Sequence, residues 1–486
     1  MKKYIFFTIL AVAAVFSSCK DFLVEEPNLA QSTELTLSTF EGLDKATAGA
    51  YAPMASTNWY GAHFILDCEM MCGNGKRWIE FSKYNSGRYT DQYAVHYTPN
   101  GTSPLWGQAY YVILSANSVL EHLNDAGIEA TEQEKNNLKA ECLFLRALAH
   151  FDLVRVYAQG YGYSADASHL GVPYVTKVDS EAKPARETVA TVYKDVIDDL
   201  LEAEKSMSPD YQRGGTGMKD AKGYANIYAI QALLARAYLY SKDYQNAALY
   251  AGKVIDAKDE AGKPVYTLWK AEDFKDAKNY TSDAPKDGEI IFEIYNNTSS
   301  SYGTGLENCW GMTSPKQYGD CGVSKDLLDL YEDGDARKQL IAPDEEGNAL
   351  FTQKYAGKGL GSVDANNVIV LRLAEMYLTR AEANVAGNLD LGQATADLKA
   401  IADSRGATPA TASVDYILVE RRKELAWEGH YWYDLARLGK PMERTDISGN
   451  VPTSIPAGDD RWALPIPDRE FTVNPNLKQN PGYNEN

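Results

Sequence analysis

The sequence predicts a mainly α chain, with antiparallel helix pairs stacked into one scaffold and interrupted by a single large, loop-rich insert. Three observations carry that expectation. Apolar residues recur at helical spacing through about 38–255 and again through about 367–440. Small and aromatic residues repeat at the spacing of two antiparallel helices: Ala235, Tyr238, Tyr244, Ala247, Ala251 and Val254, then Tyr377 and Ala381 running on through Ala394, Leu398 and Ile401. Between these blocks, about 256–366 is rich in Gly, Asp, Asn and Ser and shows no long helical period. One helix pair cannot bury its own apolar face, so such units stack, and 38–486 is expected to form one curved domain.

The chain opens with an export signal. Lys2 and Lys3 precede a mostly apolar run, Tyr4 to Phe16, and then Ser17-Ser18-Cys19. The run is too short to cross a bilayer as a helix and has the charge, apolar centre and small-residue exit of a secretory leader, 1–18. A cysteine directly after two small residues resembles a lipoprotein signal, cleaved before Cys19 and acylated on its thiol and new amino end. Several acyl chains, at about 0.8 kcal/mol per buried methylene, hold a protein on a membrane where one does not. Cys19 is therefore the expected lipid anchor, and 19–37 a tether carrying Lys20, Asp21, Glu25 and Glu26. No later apolar run approaches the length of a membrane-spanning helix, so membrane contact is expected through the lipid alone.

The first helix, Ser38 to Met54, places Phe40, Leu43, Ala46, Ala50 and Tyr51 on one side. Helical patterns resume from Pro104 to Asn124 and from Thr131 to Tyr157, where Thr131 to Glu134 fits a capping box, and Val189 to Lys205 supplies a partner helix. His150 lies beside Arg146, Asp152 and Arg155 with no nucleophile to serve, and is expected to be a packing residue. The insert has one strand-like run, Glu289 to Tyr295. The spacing of Val414, Leu418, Leu425, Trp432 and Leu435 predicts one long helix from Val414 to Lys440, ahead of a C-terminal tail, 441–486. Glu420, Glu424 and Glu428 follow one another at four-residue steps on that helix, interleaved with Arg421, Arg422 and Lys423. A glycosidase needs two carboxylates facing each other across a bond, and carboxylates on one helical face point the same way. They are expected to form ion pairs.

Net charge is −19 over 486 residues, and loss of Lys2 and Lys3 with the leader makes it −21. So acidic a chain lacks the Lys and Arg surplus that neutralises phosphates, which argues against nucleic acid as a partner. Five cysteines remain after Cys19, and a chain of this length buries a core without staples. Cys68 and Cys72 could bridge or bind metal with a further ligand, but buried thiols are the expectation. No nucleophile–base motif, metal-ligand cluster, phosphate loop or cofactor motif stands out.

Two regions are unusually aromatic. Trp59, Tyr60, Phe64, Trp78, Phe81, Tyr84, Tyr89, Tyr93 and Tyr97 lie among Gly, Asn and Ser with few aliphatic partners, so some rings are expected to face solvent or a ligand. Tyr89, Tyr93 and Tyr97 would align on a short helix before Pro99. In the insert, Tyr302, Trp310 and Tyr318 alternate with Gly303, Gly305, Gly311 and Gly319.

The run from Glu420 to Lys440 resembles the C-terminal signature of the SusD/RagB family, outer-membrane lipoproteins of Bacteroidetes that capture nutrients for a TonB-dependent transporter. The tail is similar too, in Leu464-Pro465-Ile466-Pro467, Asn474-Pro475-Asn476-Leu477 and Gln479-Asn480-Pro481-Gly482-Tyr483. A third match is Leu371-Arg372-Leu373-Ala374-Glu375 running on to Ala381-Glu382-Ala383, and Asp335 with Arg337 resembles a family Asp-x-Arg turn of structural role. The resemblance implies a tetratricopeptide-like scaffold and a surface lipoprotein facing outward, one that passes oligosaccharide or polysaccharide to a SusC-like transporter without catalysis. A glycoside hydrolase, or a peptide- or glycopeptide-binding member of the same family, is the alternative. The expected site is shared by the two aromatic regions, since sugar rings stack on Trp and Tyr while their hydroxyls take contacts from Asp, Asn and Arg. The candidates are Trp78, Trp310, Tyr84, Tyr302, Asp67 and Arg77, with no metal ligand and no catalytic residue among them.

Overall fold

Helices in this chain begin where a short polar side chain takes up a free backbone N–H. Thr39, Thr131, Thr188, Asn226, Asp243, Asp390 and Ser413 each cap a helix in this way, and Thr131 closes a reciprocal box with Glu134. The computed structural model describes residues 36–101, 105–213, 221–281, 288–296, 306–359 and 364–483. The expected leader, Cys19 and Tyr302 lie outside the described residues.

The helices that build the body are α1 (Phe40–Tyr51), α2 (His63–Met71), α3 (Leu105–His122), α4 (Glu132–Tyr157), α5 (Val189–Ser206), α6 (Ile227–Tyr240) and α7 (Tyr244–Ile255) before the insert. The insert contributes α8 (Cys309–Thr313), and after it come α9 (Leu373–Ala386), α10 (Leu391–Arg405), α11 (Val414–Glu424) and α12 (Tyr431–Leu438). The expected pairs form: α4 packs on α5, α6 on α7 and α9 on α10, and α3 packs on α4 as well. Helix α7 also lies against α9, so the repeat continues across the insert as if it were not there. No helix among the described residues is long and apolar enough to cross a membrane.

Strands are short and antiparallel: β1 (Gly75–Lys76) with β3 (Gly322–Val323), β2 (Ile290–Ile294) with β6 (Val368–Arg372), and β4 (Ile341–Pro343) with β5 (Leu350–Thr352). The strand-like run of the insert is β2, and every residue in it is buried. It pairs through Ile294 with Val368 and through Ile290 with Arg372, on the strand that leads straight into α9. The insert is thus stitched to the scaffold by backbone.

The stretch from Val414 to Lys440 is two helices, not the expected one. Helix α11 ends at Glu424 and α12 begins at Tyr431, and between them Trp427 (φ +65°) and Gly429 (φ +77°) take left-handed conformations. Side chains from elsewhere capture the carbonyls that a continuous helix would use. Arg372 Nη2 donates to Glu424 O (2.6 Å), Lys354 Nζ to Ala426 O (2.8 Å) and Tyr355 Oη to Trp427 O (2.6 Å). Apolar spacing survives the break because α12 resumes on the same side of the core, burying Trp432 and Leu435.

The glutamates of this stretch do form ion pairs, and the pairs are buried. Glu424, with no exposed side-chain surface, receives Arg372 Nη1 (2.7 Å), Arg405 Nη2 (2.8 Å) and Arg337 Nη1 (3.1 Å). Glu289 shares Arg405 (2.6 Å) and Arg372 (3.1 Å), Glu428 takes Arg372 Nε (2.7 Å) and Lys354, and Glu420 takes Arg337. Asp335 closes on Arg337 at 2.8 Å, the structural role expected of that turn. Burial pushes the Glu424 carboxyl up, but the Arg405, Arg372 and Arg337 guanidiniums outweigh it and hold the group well below the ordinary carboxylate range. The five cysteines among the described residues are free and buried, and burial raises the Cys142 thiol to about 12. His150 is also a packing group: its Nε2 accepts from Val175 N at 3.0 Å, and burial lowers it to about 3.

Removing one partner of a buried ion pair strands the others. Glu424→Gln should therefore destabilise the protein by about 3–5 kcal/mol in urea unfolding, against the few tenths typical of a surface change. A loss below about 1 kcal/mol would mean that the arginines find other partners.

Candidate functional site

The insert folds back over the region after α2 and leaves a cleft of about 670 Å³, within the range of small-ligand pockets (roughly 300–1,000 Å³). It is lined by Trp310, Thr313 and Pro315 from α8 and the turn after it, and by Ala342, Pro343, Thr352, Gln353 and Tyr355, with Lys83, Lys316, Asp344 and Glu345.

Helix α8 positions Trp310. Asn308 caps it, Oδ1 accepting from Gly311 N (2.9 Å) while Nδ2 donates to Asp364 O (2.7 Å). The indole rests against Gly357 (φ +88°), where a Cβ would fall 2.9 Å from Trp310 Nε1. The β4–β5 hairpin supplies a further part of the wall. Asp344 Oδ1 accepts from Asn348 N (2.7 Å) and Ala349 N (3.2 Å), which fixes the turn, and Oδ2 accepts from Tyr84 Oη (3.0 Å). Burial pushes Asp344 up, but those N–H groups and the tyrosine hydroxyl outweigh it and bring the carboxyl below its ordinary value.

Behind the hairpin, Trp78, Tyr84, Ala349 and Phe351 make a small core of their own. Trp78 Nε1 donates to Leu350 O (3.4 Å) and its ring closes on Gly322, where an added Cβ would lie 2.1 Å from Nε1. Tyr84 meets Phe351 edge-on at 5.0 Å. Of the expected site residues, then, Trp310 lines the cleft and Tyr84 and Trp78 support its wall from behind. Asp67 and Arg77 do not line it. Asp67 sits on α2, bonded to His63 Nδ1 (3.0 Å), and Arg77 donates to Asn85 Oδ1 (2.7 Å).

Some rings of 59–97 were expected to face solvent or a ligand; only Phe81 is partly exposed, and the other eight are buried. Their partners come from far along the chain. Trp59 Nε1 and Tyr60 Oη donate to Asp152 of α4 (2.8 and 2.6 Å), Phe64 stacks on Tyr433 of α12 (5.4 Å), and Arg444 lies over Tyr93 (4.6 Å). Nor do Tyr89, Tyr93 and Tyr97 form one stripe, because left-handed Tyr89 (φ +55°) and Val95 (φ +48°) bound a helix of five residues, Thr90–Ala94. Thr352, Gln353, Tyr355 and the two lysines escaped the sequence reading. Their one signal was the turn Asp344-Glu345-Glu346-Gly347-Asn348 between Ile341-Ala342 and Leu350-Phe351-Thr352, a hairpin pattern.

His63 stacks on Tyr89 (5.4 Å) as well as pairing with Asp67. Burial pushes the imidazole down, but the Asp67 carboxylate, with a smaller contribution from Glu307, outweighs it and holds His63 above its ordinary value. A raised folded value stabilises fully below the unfolded value of about 6.5 and is lost as pH rises through the folded one. His63→Gln should thus cost more stability at about pH 5 than at about pH 9 in thermal unfolding; equal costs would refute the pair's contribution.

Residues 21–239 match a family model described as "Starch-binding associating with outer membrane", and residues 348–483 match that of the SusD family. SusD-like protein P38 of Formosa agariphila is 24% identical over 551 aligned residues, covering 99% of this chain and 100% of its own. SusD-like protein P2 of the same organism is 26% identical over 545, with the same coverage. Among solved structures, a SusD superfamily protein from Bacteroides vulgatus superposes with a TM-score of 0.80 at 29% identity, covering 92% of this chain and 100% of that one. Another, from Bacteroides thetaiotaomicron, gives 0.80 at 28% identity over 91% and 100%. With family models matched at both ends and relatives aligned over nearly its whole length, this chain belongs to the SusD/RagB family.

Proposed function

We propose that this chain captures oligosaccharide or polysaccharide in the cleft beside Trp310 and hands it to a SusC-like TonB-dependent transporter, breaking no bond. It would do so at the cell surface, held to the outer membrane by acyl groups on Cys19. The observation that carries the reading is the cleft itself, with an aromatic side chain and polar groups around one ligand-sized space. The family model's description, starch-binding and associated with the outer membrane, supports it.

Trp310 is 8% exposed and fixed by its packing, so little side-chain freedom is lost when a sugar ring settles on it. Gln353, Thr352 and Thr313 offer amide and hydroxyl groups to sugar hydroxyls. The carboxylates that a glycosidase reading would use are engaged elsewhere. Glu424 and Glu428 are buried against Arg337, Arg372, Arg405 and Lys354, out of reach of a glycosidic bond. That favours capture over hydrolysis.

Calorimetry and retention on a panel of soluble glycans, with products followed by chromatography, test the reading on protein from residue 20 onward. Saturable binding without new reducing ends is expected, and Trp310→Ala should weaken it by more than about thirtyfold, the loss of a central aromatic anchor (~2 kcal/mol). Release of shorter sugars would overturn the non-catalytic role, and failure of every glycan to bind would turn attention to peptide cargo.

A further inference from the structure

We infer that Asp364 is the positioning residue of the cleft, fixing the Trp310 indole without lining the cleft itself, an inference that rests on Trp310 being the glycan anchor. Two separate links run from this one buried residue to the ring. Its main-chain oxygen accepts from Asn308 Nδ2 (2.7 Å), and Asn308 is the cap of α8, two residues ahead of Trp310. Its carboxylate gathers the loop against which the indole rests: Oδ1 accepts from Lys358 N (2.8 Å) and Ala365 N (2.8 Å), and Oδ2 from Gly359 N (2.7 Å). Successive amides in a loop with left-handed glycines, Gly357 and Gly359, make a concavity suited to an anion, and the chain's own carboxylate fills it.

Gly357 lies against both the carboxylate and the ring. A Cβ there would fall 2.4 Å from Asp364 Oδ2 and 2.9 Å from Trp310 Nε1, so the contact leaves no room for a methyl group. Other bonds secure the loop at its ends: Tyr355 Oη to Trp427 O (2.6 Å), Gly357 N to Asn366 Oδ1 (3.1 Å) and Lys358 Nζ to Asn367 Oδ1 (2.8 Å). Among the described residues Asp364 alone is bonded to both the loop and the α8 cap. Its position decides how the indole meets the cleft, because only a small part of the ring is exposed and a binding group works within about 0.5 Å of its productive place. Without the carboxylate, Lys358 N and Gly359 N lose their acceptor, the loop loosens, and the freedom regained by the ring must be given up again on binding.

The test uses protein from residue 20 onward with its eight tryptophans replaced by 5-fluorotryptophan, the Trp310 fluorine resonance being assigned by its loss in Trp310→Phe. Binding is read by calorimetry on amylopectin, xyloglucan and galactomannan. Asp364→Ala should shift or broaden the Trp310 resonance while the others stay in place, and should weaken binding about tenfold. Gly357→Ala should do the same, and Asp364→Asn, which keeps one carbonyl acceptor, should lose about threefold; these two carry the test if Asp364→Ala does not fold. In a Trp310→Ala background Asp364→Ala should change affinity by less than about twofold, since both act through one ring. A merely structural role would move many resonances and add its loss to that of Trp310→Ala. An unmoved Trp310 resonance, unchanged affinity, or additive losses would overturn the inference and leave the glycan reading standing. Failure of all three polymers to bind would count against that reading, and the fluorine resonance would still decide whether Asp364 places the ring.

Discussion

A carboxylate with no access to water holds the two halves of this molecule together. A charge moved into the interior costs several kcal/mol unless it is paired and fully hydrogen-bonded, so once Glu424 is buried its partners become obligatory. Those partners come from three places. Arg337 belongs to the insert, Arg372 ends β6, and Arg405 ends α10, while Glu289 at the head of β2 shares the last two. An apolar cluster at the same place would tolerate a shifted insert. A set of ion pairs with fixed geometry does not, which makes its contribution one of register more than of net stability.

The cleft inherits that register. Thr352, Gln353 and Tyr355 line it, and Lys354, between them, turns the other way, donating to Ala426 O and to the Glu428 carboxylate. Burial pushes the Lys354 ammonium down and Glu428 opposes that shift without cancelling it, so the group remains below its ordinary value. Tyr355 Oη reaches Trp427 O beside it. The wall is therefore fastened to the break between α11 and α12, and the left-handed backbone at Trp427 and Gly429 is what presents those carbonyls. Local departure from helix, one that propensity would not favour, is what joins scaffold to site.

Much of the scaffold was legible because helix pairs announce themselves within a short window. Thr131 and Glu134 form the capping box that their spacing suggests, and Ala235 to Val254 pack as α6 on α7. The break at Trp427 was not legible, since its cause lies in Arg372, Lys354 and Tyr355, more than fifty residues upstream in each case, as the hydrogen bonds record. The aromatic stretch misled for the same reason. Seen along the chain it lacks aliphatic partners; in space Asp152, Tyr433 and Arg444 take their place with a hydrogen bond, a ring stack and a guanidinium. Of the six residues expected at the site, Trp310 stands in the cleft, Trp78 and Tyr84 stand behind it, Asp67 and Arg77 serve other contacts, and Tyr302 lies outside the described residues.

That redistribution bears on how such a site recognises its ligand. Were the rings of 59–97 exposed, affinity could come from stacking alone, which every sugar face satisfies. With most of them folded into the core, what they supply is rigidity. Trp78 is locked over Gly322, Tyr84 ties the hairpin through Asp344, and Pro343, Thr352 and Gln353 then line the cleft along with Trp310. On the proposed reading, an anchored indole beside preset polar groups discriminates by the placement of hydroxyls, because a ligand that leaves one of those groups unpaired loses more than a ligand with a poorer stack. Selectivity, on that reading, rests on the wall, which Lys354 and Tyr355 fasten to the carbonyls of Ala426 and Trp427.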